Sequence, residues 1–371
     1  MYRTLIGRLT ALAAALCTVL AIGGGASVAA PTADLIVFTT ASWIPGRPVD
    51  LWTIRPDGRG LRRLHVAAAD FEDPAWSPDG ERITFTFSRK RGVFPDRIAV
   101  VPAAGRVSTL RAIGLKAITD PVWSPDGRWI AFVSWAKTEP GHPGRKPPPR
   151  RLEGVYVVHP NGTGLRMITT PAPYYSEIAW APTSTRLVVV RDAAEAKRCS
   201  AVLVVARVAG GSGPLPACGF GPVWSPSGDR IVYSSDAFGF GEDGLRSIAP
   251  GGGGRQRLTA GFDLAPSFSP DGNRLVFIRQ AQDLTNARSL MTLDLRTRRE
   301  QRITPRGFEV GVPGDDLRWS PDGTTILFSR RYDRSPPAVC GLWTVRAEGS
   351  VPRRFVTGTT CGADWRPRPP R

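Results

Sequence analysis

The chain has 371 residues, enough for one large domain or two of ordinary size. Its formal net charge is +17, and all but five of its 49 basic residues are arginine. This balance is typical of a GC-rich coding bias, and it also favours an anionic polymer as a partner. The three histidines, His65, His142 and His159, are too scattered for a histidine-based metal site or catalytic triad.

The first 30 residues have the layout of a secretory signal peptide. Arg3 and Arg8 form a basic start, an apolar run follows from Leu9 to Ile22, and small residues lead to Ala30. The run is shorter than the roughly 20 residues of a membrane span, and retention as an uncleaved anchor is the alternative. We predict a signal at 1–30, export to the periplasm or beyond, no membrane span after cleavage and no nucleic-acid partner.

One short phrase recurs through the rest of the chain. "WSPDG" and its near copies define anchor aromatics at Trp76, Trp123, Trp180, Trp224, Phe268, Trp319 and Trp365. Successive anchors are 44 to 57 residues apart. Within the phrase, Pro presets a turn, Asp binds the backbone ahead of it, and Gly accepts the positive φ that completes it. The phrase therefore predicts the tight turn of a β-hairpin.

Each copy continues with further strand-like runs, as in "RITFTF", "RIAVV" and "RVSTL". Four short strands in 40 to 50 residues are typical of β-propeller blades. The mature chain begins with a second strand, "LIVFTT", and ends with a first strand, "CGADW", so the two ends are expected to complete one blade. We predict an all-β, seven-bladed β-propeller of four-stranded blades over residues 31–371, closed by the C-terminal strand.

The stretches "DPAWSPDGERITF" and "DLWTIRPDGRGLRRL" resemble the TolB-type propeller repeat, a relative of the WD-repeat class. The resemblance covers the whole mature chain and implies the propeller fold. Periplasmic TolB has six blades and an additional N-terminal domain, for which we expect no room here, so its partners are not carried over. Related propellers are lids of prolyl-oligopeptidase-type enzymes and scaffolds of sugar lyases. The fold alone therefore leaves the function open.

The loops between second and third strands share one face of such a propeller with the links between blades. Their length varies, and variable loops on a rigid scaffold are where binding residues are often found. They carry Trp43, Phe94, Trp135, Phe238, Phe240 and Tyr332, which either pack onto the blades or anchor a partner. A Pro- and Arg-rich insert at 137–151 is either a solvated loop or a contact for an anionic polymer.

Four cysteines remain once Cys17 leaves with the signal, an even number that is typical of exported proteins. One pair lies in a second-to-third-strand loop and the link that follows it, and the other pair lies in the equivalent places of another blade. We therefore predict the disulfides Cys199–Cys218 and Cys340–Cys361. Each closes a loop of about 20 residues and contributes about 3 kcal/mol in the chain-entropy model.

Acidic residues stand three positions before the anchor in four copies, at Asp73, Asp120, Glu177 and Asp316. We expect this position to face the mouth of the central channel. The acids then bind either a basic peptide or Ca²⁺, which prefers oxygen ligands. Alternatively, they bind backbone N–H groups of their own turn or of a neighbouring blade. No other metal site, no cofactor and no catalytic residue is predicted.

These features favour a monomeric, exported binding module that recognises a protein or peptide on its loop face. Two alternatives stay open. An arginine-driven binder of anionic cell-wall polymers would lose its partner at high salt. A carbohydrate-active enzyme would use the carboxylates at the channel mouth. No nucleophile elbow, zincin or phosphate-loop motif supports catalysis.

Overall fold

The computed structural model describes residues 35–40, 50–64, 70–88, 95–103, 108–110, 115, 117–134, 153–172, 174–192, 201–235, 244–282, 287–310, 317–331 and 340–367. The predicted signal, the insert at 137–151 and the six loop aromatics lie outside these residues, as do Asp316 and Cys199. Within the described part, no helix is long and apolar enough to cross a membrane.

The secondary structure of the described residues consists of strands and turns. The strands are β1 (Ile36–Thr40), β2 (Leu51–Ile54), β3 (Arg62–Leu64), β4 (Asp70–Trp76), β5 (Arg82–Ser88), β6 (Arg97–Pro102), β7 (Ser108–Leu110), β8 (Ile118–Trp123), β9 (Ile130–Ser134), β10 (Gly154–Val158), β11 (Arg166–Met167), β12 (Tyr175–Trp180), β13 (Arg186–Asp192), β14 (Ala201–Arg207), β15 (Ser212–Trp224), β16 (Ile231–Ser235), β17 (Leu245–Ile248), β18 (Gln256–Arg257), β19 (Phe262–Phe268), β20 (Arg274–Gln280), β21 (Arg288–Asp294), β22 (Glu300–Arg302), β23 (Arg318–Trp319), β24 (Thr325–Arg331), β25 (Cys340–Arg346) and β26 (Arg353–Trp365).

Three copies of the repeat form a four-stranded antiparallel sheet each. We name every copy by its anchor: the Trp76 repeat comprises β4–β7, the Trp123 repeat β8–β11 and the Phe268 repeat β19–β22. In each of these sheets the strand that carries the anchor is first, and the following strands are added in chain order. The hairpins predicted from the repeated phrase are therefore confirmed.

The other four copies share two seven-stranded sheets, so the prediction of seven separate blades is wrong. One sheet runs from β12 to β18 in chain order, and the other has the order β23-β24-β25-β26-β1-β2-β3. The cause is the length of β15 and β26, which have 13 residues each. The first part of each strand ends one repeat and the second part begins the next. The described strands consequently form five sheets.

The propeller is closed by the C-terminal strand, as predicted. β26 pairs antiparallel with β1, and Trp365 lies opposite Ile36 while Ala363 lies opposite Phe38. The anchor strands contact one another in succession around the ring, in the order β4, β8, β12, β15, β19, β23, β26 and back to β4. The all-β propeller fold is thus confirmed, and closure protects an edge that could otherwise pair with another chain.

The second strand of each repeat forms the centre of the hydrophobic core. These strands are apolar on both faces because the sheets stack on one another, which explains their continuous apolar sequence. One position carries a large aromatic side chain in six copies, each at most 2% exposed: Phe38, Phe85, Phe132, Tyr233, Phe277 and Phe328. Full burial of one such side chain stabilises the fold by about 1.5–3 kcal/mol.

The shared strand β15 leaves no room for a side chain at Gly219. A Cβ atom there would lie 2.1 Å from the carbonyl oxygen of Ser234 on β16. We expect Gly219→Ala to lower the free energy of unfolding by about 1–3 kcal/mol, the usual range for overpacking. The control is Gly213→Ala in the same strand, where a Cβ meets nothing within 4 Å. Urea denaturation measures the free energy of unfolding of both variants. Equal values would contradict the close approach of β15 to β16 at Gly219.

Candidate functional site

The repeated phrase folds into a turn whose Ser and Asp side chains bind each other. In the Trp76 repeat the Ser77 hydroxyl donates to Asp79 Oδ1 over 2.5 Å, and Gly80 has a φ of 69°, which glycine adopts without strain. In the Phe268 repeat the hydrogen bond from Ser269 lowers the pKa of the Asp271 carboxyl, although burial opposes this effect. The turn acids therefore have a structural role.

Arginines pack on anchor tryptophans of the following repeat. The guanidinium carbon lies 4.8 to 5.4 Å from the ring centroid in the pairs Arg82–Trp123, Arg186–Trp224, Arg274–Trp319 and Arg366–Trp76. Cation–π contacts of this kind contribute about 0.5–2 kcal/mol, depending on how well water is excluded. Part of the arginine excess thus stabilises contacts between repeats.

Asp73, Asp120 and Glu177 lie in the middle of the anchor strands β4, β8 and β12. Their φ angles are 52°, 54° and 51°, in the left-handed region that non-glycine residues rarely adopt. At each of them the pairing with the second strand shifts register. The three acids therefore occupy β-bulges, which redirect a side chain away from the regular sheet.

The redirected carboxylates reach the next repeat. Asp73 Oδ2 accepts a hydrogen bond from the Asp120 N–H (3.3 Å), and Glu177 Oε2 accepts one from the Gly221 N–H (2.6 Å). These are the neighbouring-backbone contacts of the structural alternative. Among the described residues, no group of three or more His, Cys, Asp or Glu side chains could hold a metal ion. A partner-binding role for these acids and Asp316 stays a prediction.

Two repeats depart from the others at the residue directly before the anchor. This position holds Ala75, Val122, Ala179, Val223 and Ser267 in five copies, but Arg318 and Asp364 in the remaining two. These two copies are neighbours, since β23 contacts β26. Side-by-side comparison of the seven copies would have found both residues, which our sequence analysis missed. The repeat pattern therefore changes at one place in the ring, where a basic and an acidic residue replace the small or apolar residues of the other copies.

Arg318 and Asp364 line a pocket of about 390 Å³ together with Trp319, Trp365, Pro270, Pro321 and Pro367. The prolines at 270 and 321 belong to the repeated turns, so the pocket lies at the turn ends of the anchor strands. Arg318 is exposed, and its Nη1 donates to the Leu317 carbonyl over 3.3 Å. The pocket thus combines apolar ring walls with one exposed guanidinium.

Asp364 connects this pocket to the closure of the ring. Its Oδ2 accepts a hydrogen bond from the Trp76 N–H over 2.9 Å, across the contact between β26 and β4. Burial raises the pKa of the Asp364 carboxyl, and the smaller effects of the Arg318 guanidinium and of the Trp76 and Trp365 N–H groups oppose this rise. The carboxyl therefore bridges the two ends of the propeller in an environment that disfavours its charge.

The cysteines are only partly described. Cys218 lies on β15 opposite Val202 and is disulfide-bonded, while its predicted partner Cys199 lies outside the described residues. Cys340 begins β25, and Cys361 lies on β26, which pairs with it. The pairings Cys199–Cys218 and Cys340–Cys361 stay predictions.

Comparison with known proteins supports the predicted resemblance. No protein-family model matches the chain. It is 32% identical over 105 residues to the Tol-Pal system protein TolB of Gluconobacter oxydans, covering 27% of this chain and 22% of TolB. It is 27% identical over 153 residues to dipeptidyl-peptidase 5 of Porphyromonas gingivalis, covering 38% of this chain and 21% of the peptidase. The matched segments thus span about a fifth of each relative's length.

Solved structures agree on the fold. TolB from Acinetobacter baumannii superposes with a TM-score of 0.51 at 14% identity, covering 90% of this chain and 67% of that one. A puromycin-hydrolyzing peptidase of Mycobacterium tuberculosis gives 0.56 at 16% identity, covering 86% of this chain and 53% of that one. At such identities the likeness shows the fold alone. The chain is accordingly a β-propeller, and its repeats resemble those of TolB.

The bridging role of the bulge acids can be tested at Asp73. Asp73→Ala removes the acceptor for the Asp120 N–H and places alanine at positive φ, so we expect a loss of about 1–3 kcal/mol in the free energy of unfolding. Asp73→Asn should retain more stability because its amide oxygen still accepts the bond and asparagine tolerates this φ. Urea unfolding that finds both variants as stable as wild type would contradict the bridge.

The half-buried carboxyl of Asp364 predicts a pH dependence. Because its pKa is raised in the folded state, that state holds the proton more tightly than the unfolded chain does. Asp364 therefore costs stability as the pH rises through the unfolded and then the folded pKa. Asp364→Asn keeps an acceptor for the Trp76 N–H and avoids the charge, so its stability relative to wild type should rise between pH 3 and pH 8. A difference independent of pH contradicts this account.

Proposed function

We propose that this protein is an envelope-associated binding module that recognises a protein or peptide partner. The observation that carries the proposal is the pocket at Arg318 and Asp364. In a scaffold of repeated sequence, the residue before the anchor is small or apolar in five copies and charged only where the pocket lies. A small or apolar residue at positions 318 and 364 would pack as in the other copies and would carry no charge. Charged residues at these two positions, on a concave surface, therefore favour a ligand.

The chemistry of the pocket suits an extended peptide. Its volume of about 390 Å³ lies within the usual range for ligand sites, which combine apolar walls with a few polar groups. Two indoles and three proline rings provide flat apolar walls, like the aromatic grooves that bind extended peptides. The guanidinium of Arg318 adds a donor for a peptide carbonyl or a carboxylate.

The relatives are consistent with this class of function. One relative is a Tol-Pal system protein and another is a dipeptidyl-peptidase. The name of the dipeptidyl-peptidase states that its substrate is a peptide. The envelope location rests on the TolB likeness together with the predicted signal peptide at 1–30. The loop face predicted from the sequence is a second docking surface in this proposal. The acids predicted at the mouth of the central channel are further candidate contacts: Asp73, Asp120, Glu177 and Asp316.

Removal of the charge at Arg318 tests the pocket. The side chain is exposed and its Nη1 donates to the Leu317 carbonyl. Arg318→Gln should fold normally because it keeps a polar side chain and places no second carboxylate beside Asp364. The measurement is quantitative capture of partners from envelope extract by the mature chain at about 0.15 M salt, where the Debye length of about 8 Å leaves a close charge contact largely intact. We expect the variant to lose at least about tenfold of a captured protein, as when one close interfacial charge contact is removed.

The matched control is Arg128→Gln, at an exposed arginine on a turn of the Trp123 repeat. It makes the same change of charge away from the pocket and should capture the partner as wild type does. Melting temperatures of both variants must equal that of wild type. Equal capture by all three proteins contradicts a partner site at Arg318.

A further inference from the structure

A second surface is distinguished by its charge. In four successive repeats, the turn between third and fourth strands and the fourth strand carry 13 exposed arginines and only two exposed acids, Asp57 and Glu348. We call this set the arginine arc: Arg55, Arg59, Arg62, Arg63, Arg255, Arg257, Arg296, Arg298, Arg299, Arg302, Arg346, Arg353 and Arg354. The repeats concerned are those of Trp224, Phe268, Trp319 and Trp365.

Two of the other repeats, those of Trp123 and Trp180, are described on the corresponding turns and fourth strands. Each carries one exposed arginine there, Arg166 and Arg207 respectively. A coding bias toward arginine acts on the whole gene and predicts no such difference between equivalent elements. The higher density of exposed arginine on the arc than on the equivalent elements of the Trp123 and Trp180 repeats therefore favours a function on this side of the ring.

Contacts between repeats join three of the four repeats of the arc, those of Phe268, Trp319 and Trp365. The Arg353 guanidinium of the Trp319 repeat donates to the Asp57 carbonyl of the Trp365 repeat over 3.2 Å. Gln301 of the Phe268 repeat donates to the Glu348 carbonyl of the Trp319 repeat over 3.0 Å. A salt bridge of 2.8 Å between Arg274 and Glu348 joins the same two repeats. The charged turns of these three repeats are thus held next to one another.

The turn acids bind the backbone of their own turns. Asp294 Oδ1 accepts from the Arg296 N–H (3.0 Å) and the Thr297 N–H (2.7 Å), and the Thr297 contact is the main cause of a lowered pKa at Asp294. Asp57 Oδ1 likewise accepts from the Arg59 N–H over 2.9 Å. Some arc arginines also have partners in the protein: Arg63 pairs with Asp50 over 2.6 Å, and Arg353 donates to the Asp57 carbonyl. The acids fix the shape of the turns, and the exposed guanidiniums define the surface.

We propose that the arginine arc binds a linear anionic polysaccharide. Guanidinium groups pair with carboxylate, phosphate and sulfate through parallel hydrogen bonds, so arginine suits repeated anionic groups. The arc includes both turns and outer strands, and a flexible chain can follow both, whereas a flat bilayer would contact the turns alone. This proposal goes beyond the peptide pocket because it concerns other residues and another class of partner.

The test compares two triple variants of the mature chain with heparin as the anionic probe. Arg296→Gln, Arg298→Gln and Arg299→Gln remove three charges from one turn of the arc. Arg128→Gln, Arg166→Gln and Arg207→Gln remove three exposed charges outside it. Calorimetric titrations at 50 to 200 mM salt give Kd and its salt dependence, and neutral dextran and anionic lipid vesicles are titrated alongside.

We expect the arc variant to bind heparin on the order of tenfold more weakly, with a salt slope lower by about two to three, because fewer counterions are released. The control variant should bind as wild type does, and dextran should not bind. An equal loss in both variants, or no measurable heparin binding, overturns the proposal. So does binding of vesicles as tight as that of heparin with the same sensitivity to the arc variant, which would indicate a membrane surface.

Discussion

The structure depends on one contact, the pairing of the C-terminal strand β26 with β1 near the start of the described chain. This pairing makes the anchor strands a closed ring. Side chains reinforce it where β26 meets the Trp76 repeat: Asp364 binds the Trp76 N–H, and Arg366 Nε donates to the Gly80 carbonyl over 2.7 Å. Closure joins distant parts of the sequence, so local strand propensity cannot replace it. Bringing these segments together costs conformational entropy, which contacts around the whole ring offset.

The arginines of this chain have two physical roles. Some stabilise the fold: they pack on anchor tryptophans or donate to backbone carbonyls, as Arg257 and Arg302 of the arc do toward the links that follow their strands. Others are exposed on the turns of the arc, as Arg296, Arg298 and Arg299 are. Net charge alone therefore overestimates the surface that is available to an anionic partner. The pocket at Arg318 differs from both, because there a single guanidinium stands beside apolar rings.

Much of the fold could be predicted from the sequence because each repeat carries its own local signals. The phrase at Trp76 defines a turn, and the run after Arg82 defines a buried strand. The shared strands could not be predicted in this way, because β15 contains Pro214, Pro216 and Pro222, and proline normally argues against a strand interior. The role of Asp73 was predicted only as an alternative, since the contact with the Asp120 N–H requires the positive φ of a bulge.

The pocket formed by β23 and β26 is the proposed partner site. Hydrogen–deuterium exchange of the mature chain, with and without its captured partner, tests this site most directly. We expect slower exchange in peptides that cover residues 317–321 and 363–367, with no change around Arg128. Protection confined to other segments, with unchanged exchange at Arg318 and Trp365, would contradict this proposal and move the binding site away from the closure of the ring.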